Sequence, residues 1–256
     1  MSTNIANCLH LPLGHAQEGP VSLDLSASPH TLVLGGTGTG KTLMLRSMAE
    51  TTLTRGFRTV IIDAIRRGAG FRAFTGRADF ATSRKEATEA LDGIVTEMTR
   101  RYDLLHAHGE STVWDLPASE DLEPIFVIVD EYAATVADAD TQEHIDQVEA
   151  IKRHIAAIVR LGRAAGIHLV ISTQRADAQD LPMATREHLD NVIVTVRPGM
   201  HLSPVMVAMV AGGVAADKAA VSAALGKAAA EEARGYAVMV TSAGATVFRQ
   251  SLPAEP

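Results

Sequence analysis

The chain has 256 residues, 46% of them hydrophobic and 21% charged, and this composition excludes a disordered or fibrous polypeptide. A formal net charge of −7 argues against indiscriminate binding of nucleic acid by the whole surface, although a local basic patch could still contact phosphates. The single cysteine excludes an internal disulfide, and we find neither a signal peptide nor a stretch of about 20 apolar residues, so we expect a cytoplasmic protein with no membrane segment.

The first predicted element is a β-hairpin. Residues 9–13 and 21–25 alternate apolar and polar side chains around Gly14 and Gly19. We predict that residues 1–28 form this hairpin as an extension packed on the core, and that residues 29–256 form one compact domain.

A βαβ unit is predicted next. A buried strand at residues 30–34 leads through a glycine-rich turn into a helix at 41–55, and the apolar strand 59–62 follows, ending at Asp63. Such a unit predicts a sheet that is parallel at its centre, with functional groups at the carboxyl ends of its strands.

The rest of the chain continues this α/β pattern. Ser83 and Glu86 have capping-box spacing ahead of an amphipathic helix, and a second helix has an apolar face from Ile145 to Val159 and a stop at Gly166. The predicted fold class is α/β, a mainly parallel sheet flanked by helices with a β-hairpin at each end. The other predicted elements are strands 125–129, 167–173 and 192–196, helical segments within 204–225, and the hairpin 236–250.

A phosphate-binding motif lies between the strand and the helix of the βαβ unit. Residues 35–42 match G-x-x-x-x-G-K-[ST], whereas the dinucleotide motif G-x-G-x-x-G fails because Lys41 stands where its third glycine is needed. Such a loop turns backbone N–H groups toward phosphates, with the lysine on the β and γ phosphates and Thr42 on Mg²⁺. We therefore predict ATP and Mg²⁺ as ligands, bound by Gly35, Gly36, Thr37, Gly38, Thr39, Gly40, Lys41, Thr42 and Leu43.

Two acids follow the strand 125–129, and an amide follows the strand 167–173. Beside a P-loop, Asp130 is predicted to join the Mg²⁺ shell and Glu131 to orient and deprotonate the attacking water. Gln174 is predicted to reach the γ-phosphate or the water, because its strand should lie next to the P-loop strand. A capping amide without a catalytic role stays open for Gln174.

Arginines supply two further hypotheses. Arg163, near the end of a helix, could reach the nucleotide of a neighbouring subunit, or could simply meet the helix C-terminus favourably. The segment 66–77 holds Arg66, Arg67, Arg72 and Arg77 with two phenylalanines and no acid. It could grip a phosphate backbone, line a subunit interface, or be an ordinary solvated loop.

At this point the sequence resembles the FtsK/SpoIIIE branch of the HerA-FtsK motor ATPases, from about residue 11 to the C-terminal hairpin. Residues 97–102 resemble an E-M-x-R-R-Y helix, and residues 162–169 and 172–175 resemble R-A-A-G-I-H and T-Q-R segments. The family usually has D-P-K where this chain has Asp63-Ala64-Ile65, so the lysine's role is absent or passed to Arg66 or Arg67. Ala176 stands where proline is usual.

The resemblance implies a RecA-like P-loop core, a homohexameric ring and ATP-driven translocation of double-stranded DNA. It also implies that Arg163 is a trans-acting finger and Gln174 a γ-phosphate sensor. A bare motor of this kind would suit DNA transfer such as conjugation, for a plasmid, integrative element or phage, and a membrane-bound partner stays open. The alternatives are an ATPase module of a specialised protein-secretion system and a nucleotide-switch regulator.

Overall fold

The computed structural model of the protein describes residues 9–120, 122–137, 139–174, 180–201 and 203–251. Within these residues ten strands form one sheet, in the spatial order β2-β1-β10-β9-β8-β3-β7-β6-β4-β5. The strands are β1 (His10–Ala16), β2 (Gly19–Asp24), β3 (His30–Leu34), β4 (Arg58–Ile62), β5 (Asp79–Ala81), β6 (Ile125–Val129), β7 (Ile167–Thr173), β8 (Asn191–Val196), β9 (Tyr236–Thr241) and β10 (Gly244–Gln250).

The sheet has a parallel part and an antiparallel part. From β8 through β3, β7, β6 and β4 to β5, neighbouring strands pair in parallel, whereas β2, β1, β10 and β9 pair antiparallel. The predicted parallel centre and the hairpin at each end of the chain are therefore confirmed. The hairpins meet where β1 pairs with β10. The division of the chain at residue 28 stays a prediction, and residues 1–8 lie outside the described part.

Helices cover both faces of the sheet. One face of the sheet, including the N-terminal hairpin, packs against the first helix and the buried Phe71 and Phe74, while the longer helices pack against the other face. Two 3₁₀ segments, Ala69–Phe74 and Ala118–Glu120, lie in the connections between strands and helices. The helices are α1 (Lys41–Thr54), α2 (Arg84–His108), α3 (Tyr132–Thr135), α4 (Gln142–Leu161), α5 (Met183–Arg186), α6 (Pro204–Gly213) and α7 (Lys218–Ala230).

Helix α4 differs from its prediction at both ends. It ends at Leu161, because Gly166 lies in a left-handed turn (φ 67°) that leads into β7 rather than at the helix C-terminus. Ile145 is 38% exposed, so the buried face starts at Val148 instead. Helix α2 begins as predicted, with the Ser83 side chain accepting a hydrogen bond from the Glu86 N–H at 3.2 Å.

The topology gathers the polar strand termini at one end of the sheet. Strands β3, β7, β6 and β4 run parallel and lie side by side, so the residues that follow them share the carboxyl end of the sheet. Strand β7 lies next to the P-loop strand β3, as predicted, although β3 and β4 are separated by two strands inserted later in the chain. The residues that precede these strands share the opposite, amino end.

Candidate active site

The loop between β3 and α1 has the backbone shape of a phosphate cradle. Gly38 and Gly40 have left-handed φ values of 76° and 103°, which glycine adopts without strain. At Gly35 the constraint is space, because an added Cβ would lie 2.2 Å from the Thr195 Oγ1 and 2.5 Å from the Thr39 Oγ1. Glycine is therefore required at each of these positions for a definite physical reason.

Thr195 braces this loop from β8, a role that the sequence analysis missed. Its hydroxyl lies 2.7 Å from that of Thr39, which donates a hydrogen bond to the Gly36 carbonyl at 2.8 Å. Thr195 is fully buried and also donates to the Leu34 carbonyl at 3.2 Å. The available signal was that threonine is the only polar residue within residues 192–196.

Lys41 is folded into the loop. Its ammonium donates to the Gly35 carbonyl at 2.7 Å and lies 3.5 Å from the Glu131 Oε1, and the side chain is only 5% exposed. A buried ammonium needs such compensation. The arrangement brings the P-loop cation directly against the acid that follows β6.

Asp130 is fully buried, and its two carboxylate oxygens differ in their hydrogen bonds. Its Oδ1 accepts a hydrogen bond from the Ser172 hydroxyl at 2.6 Å and from the Glu131 N–H at 3.1 Å, whereas the Oδ2 has no hydrogen-bond partner among the described residues. Burial raises the pKa of Asp130, the Ser172 hydroxyl lowers it, and the nearby Glu131 and Asp63 raise it further. A cation bound at this carboxylate would favour its ionised form and so oppose the effect of burial on the pKa.

Glu131 has a left-handed backbone, with φ 51° and ψ 49°, which is uncommon for a residue with a side chain. The conformation turns the chain from β6 into α3. Its carboxylate accepts from Gln174 Nε2, which lies 3.3 Å from each oxygen, and from Arg66 Nη2 at 3.2 Å. Gln174 also accepts a hydrogen bond from the Thr37 hydroxyl at 3.3 Å, so it links Glu131 to the P-loop.

These residues fit a nucleotide-bound Mg²⁺. The buried Asp130 Oδ2 lacks a partner, and hard cations take carboxylate, hydroxyl and phosphate oxygens. Thr42 at the start of α1 supplies the hydroxyl, and Gly70 leaves room beside it, since an added Cβ there would lie 2.8 Å from the Thr42 Cγ2. No cluster of three or more His, Cys, Asp or Glu able to hold a metal occurs in the described part of the chain.

Arg163 lies far from this cluster. It is exposed in the turn between α4 and β7, at the amino end of the sheet, whereas Gln174 follows the carboxyl end of the same strand. The seven residues of β7 span about 20 Å at 3.3 Å per residue. The structure therefore does not bring Arg163 to the P-loop of its own chain.

The basic segment 66–77 separates into residues with different environments. Phe71 and Phe74 are buried against α1, and Arg77 forms a two-point ion pair with Glu50 at 2.7 and 3.0 Å. Arg66 turns to Glu131. The other two arginines are exposed, and Arg175 of the T-Q-R segment lies outside the described residues.

The fold and the carboxyl-end cluster define a RecA-like P-loop ATPase domain. Residues 11–65 match the family model "Helicase HerA, central domain". The chain is 34% identical over 164 residues to a "Sporulation regulatory protein" of Streptomyces azureus (62% of this chain, 52% of that protein). It is 32% identical over 216 residues to "DNA translocase FtsK" of Tropheryma whipplei (71% of this chain, 28% of that protein). The chain thus contains a match to the HerA central domain and is similar to FtsK-type DNA translocases, and it spans about half of the length of the first of these relatives and about a quarter of the second.

Solved structures share the fold. The pCW3 conjugation coupling protein TcpA with ATPγS has a TM-score of 0.80 at 23% identity, covering 95% of this chain and 66% of that one. The cytoplasmic domain of the type VII secretion ATPase EccC of Thermomonospora curvata has a TM-score of 0.72 at 22% identity, covering 98% of this chain and 29% of that one. Among the described residues, no helix has both the length and the apolar character needed to cross a membrane.

Proposed function

We propose that the chain hydrolyses MgATP as one subunit of a homohexameric ring and uses the energy to move double-stranded DNA. The cluster of Lys41, Glu131 and Gln174 at the P-loop is the observation that carries this proposal. In the proposed reaction Lys41 leaves the Gly35 carbonyl for the β and γ phosphates, and Glu131 takes a proton from the attacking water.

The metal and the amide complete the proposed machinery. Thr42 and Asp130 would hold Mg²⁺, which supplies charge neutralisation between the β and γ phosphates when bound. Gln174 would sense the γ-phosphate, and its contacts with the Thr37 hydroxyl of the P-loop and with the Glu131 carboxylate support this role. Loss of the γ-phosphate would therefore change the contacts available to both residues.

The ring is proposed from the separation of two functional groups. Arg163 is exposed at the amino end of the sheet, so its proposed role on a γ-phosphate requires the nucleotide of a neighbouring subunit. In a closed ring with head-to-tail contacts, every amino end can face the carboxyl end of the next subunit. Such an arrangement makes hydrolysis dependent on assembly.

Double-stranded DNA is proposed as the cargo from the sequence relatives. Relatives named DNA translocase FtsK share 32% identity over 71% of this chain, whereas the secretion ATPase EccC shares 22%. The fold of EccC keeps a protein substrate as the second candidate, and a nucleotide switch without turnover is the third. A transfer system for mobile DNA is the proposed setting.

The ATPase rate tests the proposal. We would measure hydrolysis against linear double-stranded DNA at low and moderate salt, with Lys41→Ala as the blank. The proposal expects strong stimulation that falls as salt rises, since contacts to phosphates release counterions. Hydrolysis indifferent to DNA would favour a protein substrate, and absence of hydrolysis with DNA present would favour the nucleotide switch.

A further inference from the structure

Arg66 contacts the Glu131 carboxylate from outside the P-loop cluster. Its Nη2 lies 3.2 Å from the Glu131 Oε1, and its side chain is 43% exposed while that of Glu131 is 8% exposed. Lys41 and Gln174 approach the same carboxylate from the P-loop and from β7. Arg66 is therefore the contact that connects this buried acid to a surface loop.

The turn that carries Arg66 is fixed by Asp63. The fully buried Asp63 Oδ1 accepts a hydrogen bond from the Arg66 N–H at 2.9 Å, and its backbone carbonyl accepts one from the Gly68 N–H at 3.3 Å. Arg67 then takes a left-handed conformation with φ 52°. These hydrogen bonds fix the backbone of the turn, so the Arg66 guanidinium reaches Glu131 from a defined position rather than from a freely moving loop.

The same loop is anchored against the P-loop helix. It runs into the 3₁₀ segment Ala69–Phe74, whose Gly70 lies so close to Thr42 that an added Cβ would be 2.8 Å from the threonine methyl. Phe71 and Phe74 are buried beneath it. Arg66 thus has a fixed backbone position relative to both Glu131 and the start of α1.

Nucleotide binding should affect the contacts of Arg66 and Lys41 with Glu131 differently. The proposed phosphate role takes the Lys41 ammonium away from Glu131, whereas Arg66 belongs to a separate loop and can keep its contact. Arginine stays protonated and presents a rigid planar donor group, which suits orientation of a carboxylate.

We propose that Arg66 is a positioning residue that holds the Glu131 carboxylate in the orientation needed to activate water once Lys41 engages the phosphates. The inference rests on the proposed hydrolytic function.

Steady-state kinetics of Arg66→Ala tests the inference. Misplacement of a catalytic group by about 1 Å can reduce the rate about 100-fold, so we expect kcat to fall about 10- to 100-fold with KM for ATP changed less than about 3-fold. Arg66→Lys should restore part of kcat. The matched control is Arg234→Ala, an exposed arginine beside β9, which should behave as wild type.

A double-mutant cycle separates positioning from a general structural effect. In the Glu131→Gln background, single-turnover hydrolysis should show no further loss on Arg66→Ala, because Arg66 acts through Glu131. Wild-type kcat in Arg66→Ala, a rise in KM alone, or multiplying losses in the double variant would each overturn the inference while leaving the proposed function intact. A wild-type protein without any ATP hydrolysis would overturn the proposed function and this inference together, whereas hydrolysis indifferent to DNA would overturn only the proposed cargo.

Discussion

The two ends of β7 present opposite environments. At the carboxyl end, the exposed Gln174 donates to the buried Glu131 carboxylate, which also lies 3.5 Å from the Lys41 ammonium. At the amino end, His168 is fully buried, stacks on Trp114 with ring centroids 6.4 Å apart, and burial lowers its pKa to about 3, so it is neutral. Arg163 is exposed in the turn that precedes the strand. The carboxyl end thus gathers charged groups around one buried acid, while the amino end presents an exposed arginine that interacts electrostatically with Asp190.

This difference between the two ends of β7 agrees with the proposal that each end acts on a different nucleotide. A group needed for binding within the chain is held by hydrogen bonds, as Gln174 is to Thr37. A group that completes a neighbour's site must stay exposed until the neighbour arrives. The comparison therefore predicts different outcomes for variants at the two ends.

Arg163→Ala should give the largest loss. Arginine fingers contribute on the order of 10³ to 10⁵ in rate, so we expect DNA-stimulated hydrolysis to fall by that order. Nucleotide affinity of the separate subunit should be unchanged, because Arg163 lies at the far end of the sheet. Titration with a fluorescent ATP analogue measures this affinity, and the exposed Arg160→Ala is the control. A large loss of affinity in Arg163→Ala would instead place Arg163 in the nucleotide site of its own chain.

Glu131→Gln should reduce hydrolysis with nucleotide binding preserved. Removal of a general base costs typically 10² to 10⁴ in rate, while the amide keeps the volume of the side chain. We would compare kcat and ATP-analogue affinity with those of Glu110→Gln, an exposed acid after α2. Hydrolysis at the wild-type rate would remove Glu131 as the base.

Gly162→Ala should disturb the amino end. A methyl group there would lie 2.6 Å from the Ile158 carbonyl oxygen and 2.8 Å from that of Ile167, both backbone atoms that cannot move aside easily. We expect the free energy of unfolding to fall by about 1–3 kcal/mol. The control is Gly93→Ala in α2, which meets nothing within 4 Å and should gain up to about 1 kcal/mol. Equal effects in denaturant titrations would contradict the described packing.

Asp130→Asn should have the smallest effect, and of opposite sign. Burial raises the pKa of Asp130, so its ionisation near neutral pH disfavours the folded state, and this penalty disappears as the pH falls below the usual aspartate pKa. Without Mg²⁺ and nucleotide we expect the variant to melt at a higher temperature than the wild type at neutral pH. The gain should shrink on acidification. A lower melting temperature at neutral pH would contradict it.

Much of the carboxyl end could be predicted from sequence. Strands at residues 30–34, 125–129 and 167–173 are continuous apolar runs, because parallel strands are buried on both faces, and their bounds agree with β3, β6 and β7. The P-loop motif is likewise a contiguous run of residues, so it can be recognised without knowledge of the fold. Helix α4 ends at Leu161, earlier than predicted, because Gly166 adopts a left-handed conformation in the turn into β7. Hydrophobic periodicity does not reveal such a turn.

Contacts between distant segments could not be predicted. Thr195 reaches the P-loop across β8, and the pairing of β8 with β3 depends on the whole sheet order. The direction of Arg66 depends on hydrogen bonds within a turn, which composition does not specify. The roles proposed for Lys41, Glu131, Gln174 and Arg163 stay predictions.

Mixing two inactive variants tests the central claim, that opposite ends of the sheet act on one nucleotide from two subunits. The Arg163→Ala variant carries one affinity tag and the Glu131→Gln variant carries another. The two variants are mixed, and rings that contain both are isolated by tandem purification. Where rings carry both variants equally, about one interface in four is intact, so the account predicts recovery toward a quarter of the wild-type rate if interfaces act independently. Mixed rings no more active than either variant alone would contradict it.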